Sequence, residues 1–192
     1  RAAVLRDLGR AEAAEASYRR ALELRPDLHG AHYSLAITLH ELGRLSEAEA
    51  GYRRALELKP DYAEAHSNLG VSLKDQGRVV EAETSCRRAL ELKPDFPEAH
   101  NNLGNVLRDL GRYSEAEASF RRALELEPDS HIAHYNLGTM RQDLTRFAEA
   151  EANYRRTLEL QPDFALAWQS LAMVKGYQSD FSEVKALSDT AL

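Results

Sequence analysis

Four histidines, His32, His66, His100 and His134, recur with a period of 34, and this ladder of imidazoles is the first arrangement in the chain that could do chemistry. Zinc holds its ligands at about 2.0–2.1 Å, whereas helices packed side by side stand about 8–10 Å apart. Successive rungs cannot share an ion, so the column reads as packing between layers. The i,i+3 pairs His29/His32 and His131/His134 fit an adventitious ion at most, and no metal or cofactor is expected. Arginine pairs recur in the same rhythm, at Arg19-Arg20, Arg53-Arg54, Arg87-Arg88, Arg121-Arg122 and Arg155-Arg156, in outline a phosphate-binding spine. Each pair is flanked by acids: Glu49 lies at i−4 from Arg53 and Glu57 at i+4. They are expected to form solvated i,i+4 pairs worth about 0.2–0.5 kcal/mol each. Glu41/Arg44, Asp75/Arg78, Asp109/Arg112 and Asp143/Arg146 are expected to pair at i,i+3 in the same way. Cys86 has no supporting His, Asp or Asn nearby and is expected to be a buried thiol. With no phosphate-cradling glycine loop, HExxH or Ser-His-Asp signature, the chain is not expected to be an enzyme.

The elements that must carry these columns follow from the same period. Pro26, Pro60, Pro94, Pro128 and Pro162 keep it, and so do Gly9, Gly43, Gly77 and Gly111, with Thr145 and Ser179 in the next two places. Between them, Ala65, Leu69, Ser72, Leu73 and Gln76 form the inward stripe of one helix, helix A. Ala82, Cys86, Ala89 and Leu90 form that of a second, helix B. Asp61 and Asp95, with Glu64 and Glu98 at i+3, read as capping boxes for helix A. Gly77 and Gly111 read as left-handed turn residues between A and B. A two-helix hairpin cannot enclose its own apolar faces, so the hairpins must stack into a solenoid.

The combination Leu69-Gly70, Gly77, Ala82, Ala89 and Pro94 resembles the tetratricopeptide repeat over essentially the whole chain. It departs from that pattern where the frequent Trp is His32, His66, His100 and His134, with only Trp168 restoring it, and where the late helix A Tyr is Leu39, Leu73 and Leu107. The resemblance implies an all-α, right-handed superhelical solenoid of antiparallel helix pairs. Its divisions are a partial repeat over 1–28, repeats over 29–62, 63–96, 97–130 and 131–164, and a degenerate terminal repeat over 165–192. It also implies that helix A lines a concave surface, which would place Asn68, Asn102 and Asn136 in one column there, flanked by Ser34 and Ser170.

Asparagine inside a helix is mildly unfavourable, so a repeated one asks for a reason. Either the amides bond within the array, or they contact a ligand. Each offers donor and acceptor, and rungs about 10 Å apart match roughly three residues of extended peptide at about 3.3 Å per residue. The column is similar to that of the superhelical arm of the O-linked N-acetylglucosamine transferases. Tyr33, Asn101, Asn105, Tyr135, Lys74 and Arg108 are the candidate side-chain readers around it. The Lys and Asn positions with which other family members grip chaperone C-termini hold Ser67, Val71, Asn101 and Asn105 here, so that clamp is missing. Three amide bonds at about 0.5–1.5 kcal/mol each reach millimolar binding at best, so flanking side chains or avidity must add specificity.

The resulting expectation is a scaffold that binds protein or an extended peptide segment. The alternative is a substrate-recognition or dimerisation arm of a larger transferase, since the segment LAMVKGYQSDFSEVKALSDTAL resembles the junctions of bacterial tetratricopeptide proteins that carry a sulfotransferase domain. A net charge of −6 argues against nucleic acid and anionic membranes as partners. The period of 34 and the proline column argue against the RNA-reading pentatricopeptide pattern. No apolar run approaches a membrane span, and a lone cysteine fits a reducing compartment, so a bacterial, cytoplasmic setting is expected. The stripe Val184, Leu187, Ala191 and Leu192 has no following helix, and self-association through uncapped ends is expected from it.

Overall fold

The computed structural model describes residues 2–189, with side chains described from 10 to 177. Ten helices fill that range: α1 Ala2–Leu24, α2 His29–Glu41, α3 Leu45–Leu58, α4 Ala63–Asp75, α5 Val79–Leu92, α6 Pro97–Asp109, α7 Tyr113–Leu126, α8 His131–Asp143, α9 Phe147–Leu160 and α10 Ala165–Asp189. No strand occurs among the described residues. Helices α2/α3, α4/α5, α6/α7 and α8/α9 are the A/B hairpins, and each B helix packs on the A helix of the next. Helices α2, α4, α6, α8 and α10 also touch their counterparts in neighbouring hairpins, whereas α3, α5, α7 and α9 do not. The array therefore curves with the A helices on its inner side.

The apolar stripes meet as the pattern requires. Leu69, Leu73, Ala82 and Cys86 are buried in one core with Leu103, Val106, Leu107, Ala116 and Phe120, while Ala89 packs with Ala63, Phe96 and Ala99; Ala65, Ser72 and Ala123 are buried too. Close approach is set by glycine. A Cβ on Gly70 would collide with Sγ of Cys86, and one on Gly104 would lie 2.6–2.9 Å from the ring of Phe120. In the first hairpin the roles are exchanged. Ala36 stands where the others have glycine, and the glycine is Gly51 on the facing helix, whose Cβ would come within 2.9 Å of the Ala36 methyl.

Each hairpin turn is a Schellman motif. Gly77 N–H donates to the Lys74 carbonyl at 2.8 Å and Arg78 N–H to the Leu73 carbonyl at 2.9 Å, with Gly77 at φ +77°. Gly43 and Gly111 repeat this at φ +74° and +73°. Thr145 occupies the fourth such turn at φ +57°, a costly place for a β-branched residue. Thr145→Gly is expected to raise stability by about 0.5–1 kcal/mol, strain relief outweighing the added freedom of the unfolded chain. A melting midpoint that does not rise would show that the turn carries no strain.

The capping expectation needs correction. Asp61 and Asp95 do not cap helix A: the N-cap residues are Tyr62 and Phe96, neither α4 nor α6 has a side-chain cap bond, and Pro97 opens α6. The extended residue at the cap is aromatic because its ring packs between layers, Tyr62 against Tyr33 at 4.8 Å and His29 at 5.6 Å. The aspartate before it faces solvent, where Asp95 meets Arg122 at 2.7 Å. The period also passes through Gly9 and Ser179, but no turn interrupts α1 or α10 there; each runs through as one helix.

Candidate ligand-binding face and its supports

The histidine column has a structural use that its sequence concealed. Nε2 of His32, His66, His100 and His134 lies 2.9, 3.0, 2.8 and 3.0 Å from the carbonyl oxygens of Pro26, Pro60, Pro94 and Pro128. A carbonyl only accepts, so Nε2 carries the proton and donates. Trp168 does the same with Nε1, 2.9 Å from the Pro162 carbonyl. Histidine thus replaces tryptophan because either ring can hold the loop that joins one hairpin to the next. His100→Phe is expected to lower stability by about 0.5–1.5 kcal/mol, and an unchanged melting curve would deny the bond any role.

On the inner side, the asparagines are engaged across repeats. Nδ2 of Asn68 donates to the Tyr33 hydroxyl at 2.9 Å, that of Asn102 to Ser67 Oγ at 3.0 Å, and that of Asn136 to Asn101 Oδ1 at 3.0 Å. Every one of these bonds spans 35 residues, so each A helix is tied to the preceding one. The Oδ1 atoms of Asn68, Asn102 and Asn136 have no protein partner among the described residues.

The candidate readers fall into two groups. Tyr33 and Tyr135 are half-buried struts: Tyr33 packs on Tyr52 at 6.0 Å, and Tyr135 on Tyr154 at 5.7 Å and Phe164 at 5.1 Å. Burial pushes the Tyr33 hydroxyl up to about 12, so it stays protonated while it accepts from Asn68. Asn101 and Asn102 line a cavity of about 180 Å³ with Ser130 and Ile132. Asn68 lines another, of about 140 Å³, with Ile37, His40 and Val71. Asn105 is half-buried in the column of Val71. Lys74 pairs with Asp75 at 2.9 Å, and Arg108 pairs with Asp109 at 3.4 Å and reaches Asp143 at 3.7 Å. The inner face is polar in its middle and becomes apolar along α8 and α10, where Ile132, Leu166 and Met173 are about half exposed. Leu187 and Val184 lie outside the residues whose side chains are described, and Ala191 and Leu192 outside the described backbone.

The outer side overturns the expected ion pairing. Arg44, Arg78, Arg112 and Arg146 do not pair with Glu41, Asp75, Asp109 and Asp143. Each reaches forward to Glu47, Glu81, Glu115 or Glu149 at 2.6 Å. Each also reaches back 29 residues to Glu15, Glu49, Glu83 or Glu117, at 2.6–2.9 Å. The Schellman motif explains this, because it turns the residue after the glycine over helix B and away from the A helix. Glu57 likewise pairs with Arg54 at i,i+3, not with Arg53. Arg141, in the column of Leu39, Leu73 and Leu107, was missed by the sequence reading. It adds a third arginine around Glu117 at 3.0 Å, visible in sequence only as one charge in an aliphatic column. The Arg146 bond foremost, helped by Arg141 and Arg121, holds the Glu117 carboxyl down at about 2. Cys86 is fully buried, and burial pushes its thiol up to about 12, which leaves it protonated and inert. Among the described residues no group of three or more His, Cys, Asp or Glu is placed to hold a metal ion, and no helix is long and apolar enough to cross a membrane.

Stacked A/B hairpins with an inner polar groove and an outer charged rim define a helical-repeat solenoid with no catalytic domain evident among the described residues. Tetratricopeptide repeat profiles match residues 63–96 and 97–130, 2–43 and 38–77, and 132–164. The chain belongs to the tetratricopeptide repeat family. Its fold is similar to that of TTC0263, a thermophilic tetratricopeptide protein of Thermus thermophilus, at 28% identity and a TM-score of 0.78 over 90% of this chain and 94% of that one. It is similar to YrrB, described as having an unusual peptide-binding site, at 26% identity and a TM-score of 0.63 over 88% and 87%. A chain of the Cut9–Hcn1 hetero-tetramer shares the fold at 20% identity and a TM-score of 0.82; this chain spans 34% of its length. No curated protein sequence matches. The fold is consistent with a scaffold that binds protein or peptide.

Proposed function

We propose that the inner groove holds an extended segment of a partner protein, with Asn68, Asn102 and Asn136 contacting its backbone. The observation that carries this reading is the division of labour in each amide. Nδ2 is fixed by the neighbouring repeat, which locks the amide plane, while Oδ1 has no protein partner and presents an acceptor to a backbone N–H. Asn101 and Asn105 extend the polar floor, Lys74 and Arg108 select by charge, and Tyr33 and Tyr135 hold the walls. The apolar end at Ile132, Leu166 and Met173 takes one or two aliphatic or aromatic side chains, the source of specificity that the amides lack. The peptide-binding site noted for YrrB lends support by analogy.

The test uses a displayed library of random dodecapeptides selected on the full chain. Asn68→Ala, Asn102→Ala and Asn136→Ala are each expected to weaken selected peptides about 3- to 10-fold. Each should also lower stability by about 0.5–1.5 kcal/mol, since the bond to the preceding repeat is lost. Met173→Lys should weaken apolar-ended peptides without changing stability, and Lys74 or Arg108 variants should change which peptides bind and their salt response. Selected peptides that bind a folded triple Asn variant unchanged would overturn the reading.

A further inference from the structure

Another cavity, open to solvent, lies on the opposite side, away from the groove. Its volume is about 440 Å³, between α3, α4 and α5, within the roughly 300–1,000 Å³ range of small-molecule sites. Leu56 and Leu69 form its apolar floor, and Arg53, Arg88 and His66 stand around it with the hydroxyl side chains Thr84 and Ser85. Position 84 is Ala in the equivalent places of the other repeats, Ala50, Ala118 and Ala152. In the last hairpin the residue matching Ser85 is Asn153, which is buried and donates to the Glu149 carbonyl at 2.8 Å.

The charges around this cavity are not balanced. Glu57, the one acid lining it, is drawn to Arg54 at 2.7 Å. Arg53 is tied to Glu49 at 2.9 Å. Arg122 and Arg156, the counterparts of Arg88 in the next two repeats, are each held by an aspartate of the preceding interhelical loop, Asp95 and Asp129, both at 2.7 Å. Asp61 occupies that place for Arg88 but makes no bond to it; among the described residues Arg88 has only Glu91, at 2.8 Å through Nη1. Burial foremost lowers the proton affinity of His66, the bond to the Pro60 carbonyl opposing it and the nearby Arg88 charge adding to it. A guanidinium with an unmatched edge therefore faces an apolar cavity beside an imidazole.

We propose that this outer cavity binds a small monocarboxylate with an apolar body, its carboxylate on the unmatched edge of Arg88 and its body against Leu56 and Leu69. A guanidinium fork suits a planar carboxylate, and two leucines with a single unmatched arginine suit one negative charge on an apolar molecule better than a phosphate. The site is independent of the peptide groove, so either can fail without the other.

The probe is 3-phenylpropionate, titrated into the full chain and followed by NMR, with 3-phenylpropionamide as the uncharged counterpart. Saturable shifts are expected at the His66 ring and the Leu56 and Leu69 methyls, with the amide binding at least about 10-fold more weakly. Arg88→Gln should weaken the carboxylate by a similar factor, with a circular dichroism spectrum like the parent's. Arg122→Gln, at the aspartate-held counterpart, should leave binding unchanged. Absence of saturation up to about 10 mM, equal binding of acid and amide, or full affinity in folded Arg88→Gln would each overturn the proposal.

Discussion

Gly104→Val is expected to lower stability by about 2–3 kcal/mol, among the largest effects of any single substitution in the array. The new Cβ would lie within 2.6–2.9 Å of three ring atoms of Phe120. That ring is fully buried, so it cannot swing aside without opening the contact between α6 and α7. The exchanged pair in the first hairpin supplies the control. Gly51→Ser should destabilise by about 1–3 kcal/mol, because Ala36 already occupies the gap, and adding Ala36→Gly should recover most of the loss. The arrangement Gly/Ser then matches that of Gly70 and Ser85. Chemical denaturation of the two single variants and the double reads the coupling directly. Additive losses would show that α2 and α3 do not share one contact at this point.

Glu117→Gln is the second. Glu15, Glu49, Glu83 and Glu117 are each only 14–17% exposed, and Glu117 accepts from Arg121, Arg141 and Arg146. Loss of its charge-assisted bonds is expected to lower the melting midpoint near neutral pH by about 3–6 °C. The sign with pH follows from its depressed carboxyl. The stabilisation is complete above the ordinary carboxylate range and is lost as pH falls from about 5 toward about 2, where the native carboxyl itself protonates. The parent chain should therefore lose more stability than Glu117→Gln across that interval, and the two curves should converge at the acid end. Parallel curves would show that the carboxylate contributes nothing beyond its shape.

The fold was legible because one period repeats its apolar stripes from Ala65 to Ala150, with Arg141 as a departure, and because Gly43, Gly77 and Gly111 mark every turn but one. What escaped was whatever depends on a neighbouring repeat. Asn68, Asn102 and Asn136 form a visible column, but their acceptors, Tyr33, Ser67 and Asn101, are three different residue types, so no pattern advertised the bond. For Arg78 the sequence offers Asp75 and Glu81 at equal distance, and only the left-handed residue at Gly77 decides between them. The third partner, Glu49, is far off in sequence and belongs to another hairpin. The capping boxes failed for a related reason: Asp61 and Asp95 have the right chemistry, but Tyr62 and Phe96 are needed at the cap to fill the space between layers. The groove's column of amides was readable, while the outer cavity depends on an aspartate, Asp61, that fails to reach Arg88.

The two sets of inter-repeat bonds lie on opposite sides of the curve, amide to side chain within and arginine to glutamate without, as flanges lie on either side of a beam. Bending stiffness of such a member comes largely from its flanges, so these short polar bonds should add resistance to any change in the radius that the packed core sets. Opening the curve stretches the inner ties, and tightening it stretches the outer ones. A guest that bonds only the Oδ1 atoms leaves the inner ties in place, so the scaffold should keep its curvature as it binds, while added salt, screening the outer flange, should loosen it.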